Sequence, residues 1–203
     1  ELEAMLDGVR SADPARLGSL QQEVLRLTHL IEDLHLLSLA ESGGLRLLRA
    51  PADLVAIARA AAARFEDRLH AAGFSVELAL PSAPLPVEVD VQRIEQVLGN
   101  LFENVLRHAS PPGPLRIEAG AQADEAWVAV SDACPGVPAQ TLAHLFDRLY
   151  RVESARSRGD GGAGLGLAIC RSIVEAHGGR ISAEPSARGG LRVRIALPVG
   201  DIG

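Results

Sequence analysis

The chain has 203 residues, of which 47% are hydrophobic and 3% aromatic. That length suits one ordinary domain plus a smaller element, and the hydrophobic fraction excludes a chain that is disordered throughout. The net charge of −6 argues against nucleic acid as the main partner, because a phosphate backbone binds a basic surface.

The two cysteines, Cys134 and Cys170, have neither metal-site spacing nor the pattern of a disulfide framework, which indicates a reducing compartment. No stretch approaches the roughly 18 apolar residues of a membrane span, and no signal peptide opens the chain. Because Glu1 enters a helical pattern without Met or a cap, we expect a fragment whose anchor or sensor lies upstream. This part would itself make no membrane contact.

Two heptad tracks of apolar residues run along the N-terminal part of the chain. Helical spacing over residues 2–9 comes first, and Asp13-Pro14 then predicts a helix start. The tracks consist of Leu17, Val24 and Ile31 on one side and Leu20, Leu27 and Leu34 on the other. Each side chain contributes roughly 1.5–3 kcal/mol when buried, so this apolar stripe should pack against a partner helix. We predict a helical hairpin over residues 1–48 that doubles into a four-helix homodimer.

Residues 49–203 alternate helical and strand patterns and would form a second domain. Ala50-Pro51 is interpreted as a junction. Alternating apolar and polar residues predict strands at 74–80, 87–89, 115–119, 126–131, 180–184 and 191–197. Helical periodicity predicts helices at 53–72, 90–108, 142–150 and 165–177.

The helix at 90–108 has one apolar face and one polar face, and the polar face carries two asparagines. Asn100 and Asn104 are one turn apart and therefore point the same way. Asparagine is a poorer helix former than Glu, Lys or Gln, whereas its amide oxygen suits a Mg²⁺ ion that keeps several waters and bridges phosphates. The alternative is a solvated face with two accidental asparagines.

A glycine-rich stretch, 159–166, runs directly into the helix at 165–177. Glycines let a ligand approach the backbone, and a helix start offers unpaired N–H groups to phosphate oxygens. The stretch lacks the Gly-Lys-Ser/Thr of a P-loop and the preceding strand of a dinucleotide fingerprint. The alternative is a flexible linker followed by a helix.

Two further features stand near these stretches. Asp132 follows the strand at 126–131, a usual place for a ligand-binding loop, although an Asp at a turn is commonly only an Asx cap. Four arginines precede the glycines, namely Arg148, Arg151, Arg156 and Arg158. Such a cluster is usually solvated surface, but beside a phosphate site it would clamp the terminal phosphate.

Four stretches, in this order, resemble the motifs of bacterial sensor histidine kinases of two-component systems. The similar stretches are 100–108 for the Asn box, 132–138 for the adenine box, 145–151 for the Phe box and 162–167 for the second Gly box. The likeness covers nearly the whole chain. Residues 33–43 and 164–170 resemble the BaeS-type envelope-stress group of these kinases.

The resemblance implies an α+β architecture, a helical hairpin followed by an α/β sandwich of the GHKL (histidine kinase/gyrase-type) ATPase superfamily. ATP would lie between helices and a mixed sheet, under a lid spanning roughly residues 138–163. Asn104 would bind Mg²⁺ with Asn100 beside it, and Asp132, in a loop that includes Gly136, would accept the adenine amino group.

The resemblance also implies the phosphate contacts. Arg107 and His108 would face phosphate or ribose, and Arg151 the γ-phosphate, with Arg148 nearby. Backbone N–H groups toward the phosphates would come from Gly162, Gly164, Leu165 and Gly166.

The implied activity is transfer of the ATP γ-phosphate to a His on the dimerisation helix, for relay to the Asp of a response regulator receiver domain. The chain would be the cytoplasmic portion of a bacterial inner-membrane protein. In related gyrase-type ATPases a Glu in the place of Asn100 activates water. An amide cannot act as that base, so hydrolysis should be slow and transfer to a protein favoured.

Two departures from the family pattern matter. Cys134 stands where the adenine box has its first glycine, and a Cβ at positive φ would cost about 1–2 kcal/mol, which weakens binding without abolishing it. No His-Glu-x-x-Arg/Asn-x-Pro acceptor box appears, so we expect ATP binding without phosphorylation in cis. The alternatives are a nucleotide-binding regulatory dimer module without kinase activity and an anti-sigma-type Ser kinase, for which the heptad helix would be superfluous.

Overall fold

The computed structural model of the chain describes residues 14–133, 136–150 and 164–200. The helices are α1 Pro14–Glu41, α2 Leu54–Ala71, α3 Val91–His108, α4 Ala139–Leu142 and α5 Gly166–Ala176. The strands are β1 Ala50–Asp53, β2 Phe74–Ala79, β3 Pro86–Val89, β4 Gly113–Gln122, β5 Glu125–Ser131, β6 Arg180–Pro185 and β7 Leu191–Pro198. The mixed α/β fold that the resemblance implies is confirmed by this set of helices and strands.

The main sheet has five strands in the order β2-β4-β5-β7-β6. β2 and β4 run parallel, because β3 and α3 form the crossover between them, and the other neighbours are antiparallel. β1 and β3 form a separate antiparallel ribbon. The sheet turns its alternate apolar residues toward α2, α3 and α5, and this layer is the hydrophobic core.

An aspartate caps the start of both α2 and α3. Asp53 Oδ1 accepts from the Val55 N–H at 2.9 Å, and Asp90 Oδ1 accepts from the Arg93 N–H at 3.3 Å. The predicted apolar face of α3 is buried throughout, with Ile94, Val97, Leu98, Leu101, Phe102 and Val105 at 0–4% exposure. α3 is therefore fixed with its polar face turned away from the core.

Two predicted segments are wrong. Ala50-Pro51 is part of β1 rather than a junction, because Ala50 and Pro51 pair with Val89 and Glu88 of β3. Residues 142–150 do not form a helix, since α4 ends at Leu142 and turns follow. Leu149 has a φ of 57°, outside the helical region, and the apolar spacing serves instead to bury Phe146.

In the described part of the chain, α1 packs on the core through its C-terminal half, where Leu36 and Leu37 are buried, Leu30 is partly buried and α1 contacts α5. The connection to β1 is held by two bonds, from the Leu48 N–H to Asp90 Oδ2 at 3.0 Å and from Arg49 Nη2 to the Ala176 carbonyl at 2.6 Å. Most of the apolar stripe is more than half exposed, with Leu17, Val24, Leu27, Ile31 and Leu34 at 51–67%. The helical segment predicted at residues 2–9 lies outside the described residues. No helix in the described ranges has the length and apolar character that would let it cross a membrane.

Candidate functional site

The polar face of α3 meets the start of α5 through Asn100. Its Nδ2 donates to the Gly166 carbonyl at 3.3 Å. A Cβ on Gly166 would stand 4.0 Å from Asn100 Cγ, so the first turn of α5 lies directly against the asparagine side chain. Asn100 thus fixes the beginning of α5 relative to α3.

Asn104 lies one turn further along α3 on the same side. It is half-buried, and within the described ranges its amide makes no hydrogen bond. A half-buried amide without a partner forgoes hydrogen bonding that water or a ligand would supply. Asn104 is therefore available to a ligand next to the start of α5.

The start of α5 presents backbone donors. Its first hydrogen bond runs from the Ile169 N–H to the Leu165 carbonyl at 2.9 Å, so the N–H groups of Gly166, Leu167 and Ala168 have no acceptor within the helix. Leu165 precedes the helix and supplies no side-chain cap. This end of α5 suits an anion.

The segment after α4 is tied to the same helix start. The Leu149 N–H donates to the Gly164 carbonyl at 3.1 Å, and Gly164 has a φ of +73°. A Cβ there would come within 2.9 Å of the Tyr150 carbonyl oxygen, so the close approach requires glycine. Phe146 is buried with the Arg171 guanidinium of α5 5.3 Å from its ring centre.

Asp132 lies directly after β5 and is 7% exposed. Its Oδ1 accepts from the Leu191 N–H at 2.9 Å, and its own N–H donates to the Leu191 carbonyl at 3.0 Å. Ala133 follows and faces Gly113 at the start of β4, with 3.6 Å between the Ala133 Cβ and a Cβ built on Gly113. The end of α3 is joined to that start by four residues, 109–112, so Asp132 lies at the sheet end that α3 approaches.

The remaining predicted site residues fall into two groups. Arg107 and His108 are exposed in the last turn of α3, and Arg148 and Gly136 are exposed on the segments near α4. Other predicted positions lie outside the described residues, namely Cys134, Arg151, Arg156, Arg158 and Gly162.

Two buried groups, one within α5 and one at its C-terminal end, were not assigned from the sequence. Cys170 of α5 packs against α3 with its Sγ 3.6 Å from the Val97 carbonyl, and burial raises the pKa of its thiol to about 12. His177 Nε2 accepts from the Asp90 N–H at 3.0 Å, and its Nδ1–H donates to the Ile173 carbonyl at 2.8 Å. The two backbone partners fix the neutral tautomer, and burial lowers the pKa of His177.

Comparison with known proteins identifies the family and the fold. Residues 89–201 match the family described as "Histidine kinase-, DNA gyrase B-, and HSP90-like ATPase". Over 98% of its length the chain is 43% identical to the signal transduction histidine-protein kinase BaeS of Escherichia coli (strain K12). The chain spans less than half the length of the curated relatives it matches, 42% in the case of BaeS.

Solved structures of histidine kinases have the same fold as this chain. The histidine kinase AdeS of Acinetobacter baumannii superimposes with a TM-score of 0.80 at 31% identity, over 98% of this chain and 92% of that one. The histidine kinase ThkA in complex with the response regulator protein TrrA gives 0.73 at 20% identity, over 98% of this chain and 55% of that one, which shows the fold alone.

The predicted resemblance is confirmed, and the alternatives of an anti-sigma-type Ser kinase and a module without kinase activity are not favoured, because the relatives are named sensor kinases. The chain belongs to the histidine kinase-, DNA gyrase B- and HSP90-like ATPase family and carries the catalytic domain of the sensor histidine kinases.

Proposed function

We propose that this chain binds Mg-ATP between α3 and the start of α5, and that the whole protein transfers the γ-phosphate to a histidine on a dimerisation helix. The observation that carries the proposal is the half-buried, unpartnered amide of Asn104 beside the uncapped start of α5. A hard neutral oxygen and a row of backbone donors in one place suit a nucleotide phosphate chain with its metal ion.

Asn104 is the residue that would hold Mg²⁺. No group of three His, Cys, Asp or Glu side chains that would hold a metal ion occurs in the described part of the chain, and an amide fits an ion that keeps its waters and binds phosphates. When bound, Mg²⁺ neutralises phosphate charge. The N–H groups of Gly162, Gly164, Leu165 and Gly166 would bind phosphate oxygens, and the cationic contacts would come from Arg107, His108, Arg148 and Arg151.

Asp132 and Gly136 would form the adenine end of the site. Asp132 is buried, and the Leu191 N–H orients its carboxylate. A buried carboxylate would accept from the exocyclic amine of adenine and disfavour guanine, which presents a carbonyl there.

Asn100 would favour transfer to protein over hydrolysis. Its Nδ2 is bonded to the Gly166 carbonyl, and an amide cannot remove a proton from water. Asn100 would therefore keep the phosphate-binding start of α5 in place without activating water.

Family membership also supports a proposal about the partners. The exposed apolar stripe of α1 would form a homodimer with a second copy through a helical hairpin. ThkA, which shares the fold, was solved with a response regulator, and we propose a receiver domain as the phosphate acceptor after the histidine. The protein would be a bacterial inner-membrane kinase of which this chain is a cytoplasmic portion.

Calorimetry of Mg-ATP binding tests the site. Asn104→Ala and Asp132→Ala should each weaken binding about ten- to hundredfold, since each removes a contact to a charged or buried group. Asn104→Ala should also remove most of the dependence on Mg²⁺, and Asp132→Ala most of the preference for ATP over GTP. Gln92→Ala, an exposed amide in the first turn of α3, is the matched control. Equal affinities in all four proteins would refute the site.

A further inference from the structure

The turn 186–190 between β6 and β7 lies against the loop that carries Asp132. A Cβ on Gly190 would overlap Asp132 Oδ1 and lie 2.6 Å from the Asp132 carbonyl oxygen. The next residue, Leu191, donates its N–H to the same carboxylate oxygen at 2.9 Å. The backbone of this turn therefore determines where the Asp132 carboxylate sits.

The same turn contacts the second part of the loop. A Cβ on Gly136 would lie 2.7 Å from the Gly189 carbonyl oxygen, so the two backbones approach more closely than side chains permit. One turn thus touches both Asp132 and Gly136, the two residues assigned to the adenine end of the site.

The turn has a defined shape of its own. The Ser186 N–H donates to the Gly190 carbonyl at 2.8 Å, and the Gly189 N–H donates to the Ser186 carbonyl at 2.9 Å. Ser186 is buried, and its Oγ accepts from the Arg188 N–H at 3.3 Å. A displacement of one residue would therefore be passed to the others.

A long-range ion pair anchors the turn to the far edge of the sheet. Arg188 reaches β2, where its Nη1 and Nη2 donate to the two carboxylate oxygens of Glu77 at 3.0 and 2.9 Å. Such paired parallel bonds fix direction as well as distance. The Arg188 guanidinium lowers the pKa of Glu77, so the pair is charged at neutral pH.

We propose that Arg188 and Glu77 are positioning residues for adenine recognition, acting through the turn 186–190 on Asp132 and Gly136. This inference rests on the proposed function, because it needs Asp132 to bind the nucleotide. Neither side chain would touch the nucleotide. They would set the position of the carboxylate that does.

The competing explanation is that the ion pair only stabilises the fold. The solvent exposure of its two side chains argues against a large contribution to stability. The side chains of Arg188 and Glu77 are 39% and 45% exposed, and exposed pairs contribute little to folding. The chain offers a matched pair elsewhere in the same sheet. Arg180 and Glu125 are joined at 2.7 Å, and Glu125 is at the opposite end of β5 from Asp132.

The experiment measures dissociation constants for ATP and GTP, with Mg²⁺, in Arg188→Gln, Glu77→Gln and the double variant, beside Arg180→Gln and Glu125→Gln. We expect each of the first three to weaken ATP binding about three- to tenfold and to lower the ATP-over-GTP ratio. The double variant should lose no more than either single variant, because both remove the same anchor. The control variants should keep the ratio of the unaltered chain.

The outcomes separate this inference from the proposed function. If Asp132→Ala weakens ATP binding while Arg188→Gln and Glu77→Gln behave like the controls, the inference is wrong and the site stands. If Asp132→Ala has no effect, the proposed site is wrong as well. A loss of thermal stability in Arg188→Gln with an unchanged ATP-over-GTP ratio would also overturn the inference, because only a positioning role moves the ratio.

Discussion

His177 shows how a single buried residue joins distant parts of this chain. Its ring bonds the Asp90 backbone at the start of α3 and the Ile173 carbonyl of α5, and Asp90 in turn holds the connection to α1 through Leu48. The charged groups that act on it are Arg49, which disfavours protonation, and Asp90, which favours it. Burial, with Arg49 acting in the same direction, outweighs Asp90 and the Ile173 carbonyl, so the pKa of His177 is lowered and the ring stays neutral.

We predict that stability falls as pH drops below about 6.5, the ordinary pKa of histidine. Burial lowers the pKa of folded His177, so over the interval between the two pKa values the unfolded chain binds a proton that the folded chain does not. The contribution of His177 to the free energy of unfolding is complete above pH 6.5. It declines as the pH falls toward the lowered pKa of the folded state, and below that pKa it is constant. Its slope is at most about 1.4 kcal/mol per pH unit for one proton.

Urea unfolding between pH 5 and 8 measures this dependence. In His177→Asn, the part of the pH dependence of unfolding free energy that is due to His177 should disappear. In His70→Asn, at an exposed position of α2, the pH dependence should remain that of the unaltered chain. An unchanged slope in His177→Asn would contradict the prediction.

Residue spacing within one helix was informative at this scale. The sequence singles out Asn100 and Asn104, because a period of 3.6 residues places them on one face of a helix. It does not single out Gly190 or His177, because their roles depend on contacts between distant residues. Asp132 and Leu191, next to Gly190, are 59 residues apart in the chain, and Asp90 and His177 are 87 apart. No local pattern encodes a contact between such distant backbones.

At the scale of elements, α1 has one end packed on α5 and a long exposed remainder. Leu37 is 2% exposed, whereas Ile31, less than two turns earlier, is 67% exposed. The heptad pattern predicts Ile31 as an interface residue and does not single out Leu37, because the burial of Leu37 depends on contact with the rest of the chain.

Leu37→Ala should therefore weaken the docking of α1 on α5 by about 2–3 kcal/mol, the cost of a large-to-small change at a buried site. Ile31→Ala should change it by less than about 0.5 kcal/mol in dilute solution. Hydrogen exchange of the α5 amides measures the difference, with faster exchange expected only in Leu37→Ala. Equal exchange in the two variants would show that α1 does not protect α5.

The element errors share a cause. β1 has four residues, one of them proline, and is held by pairing with β3 rather than by its own pattern. The 142–150 segment has helical spacing, but it binds the start of α5 through Leu149. In both cases a tertiary contact overrode the local propensity.

At the scale of the whole molecule, the exposed stripe of α1 predicts self-association. Ile31→Glu places a charge in the middle of the stripe and should shift the chain toward monomer, because the partner helix would have to bury that charge. His29→Glu adds the same group to α1 off both heptad tracks and should leave the assembly unchanged. Analytical ultracentrifugation over a range of concentrations compares the two. A monomeric unaltered chain, or equal effects of both variants, would refute dimerisation through this stripe.

The sequence by itself determined the order and type of most elements and the buried face of α3. It also identified the asparagines of α3, the acidic turn after β5 and the helix that follows the glycines as candidate parts of the site. It could do so because helical and strand periods, caps and glycines are local properties of the backbone. Only the tertiary structure decided that Asn100 holds the start of α5, that Leu37 docks α1, and that the turn 186–190 and its anchor at Glu77 position Asp132. Those contacts join residues far apart in the chain, and they exist only once the sheet order has brought them together.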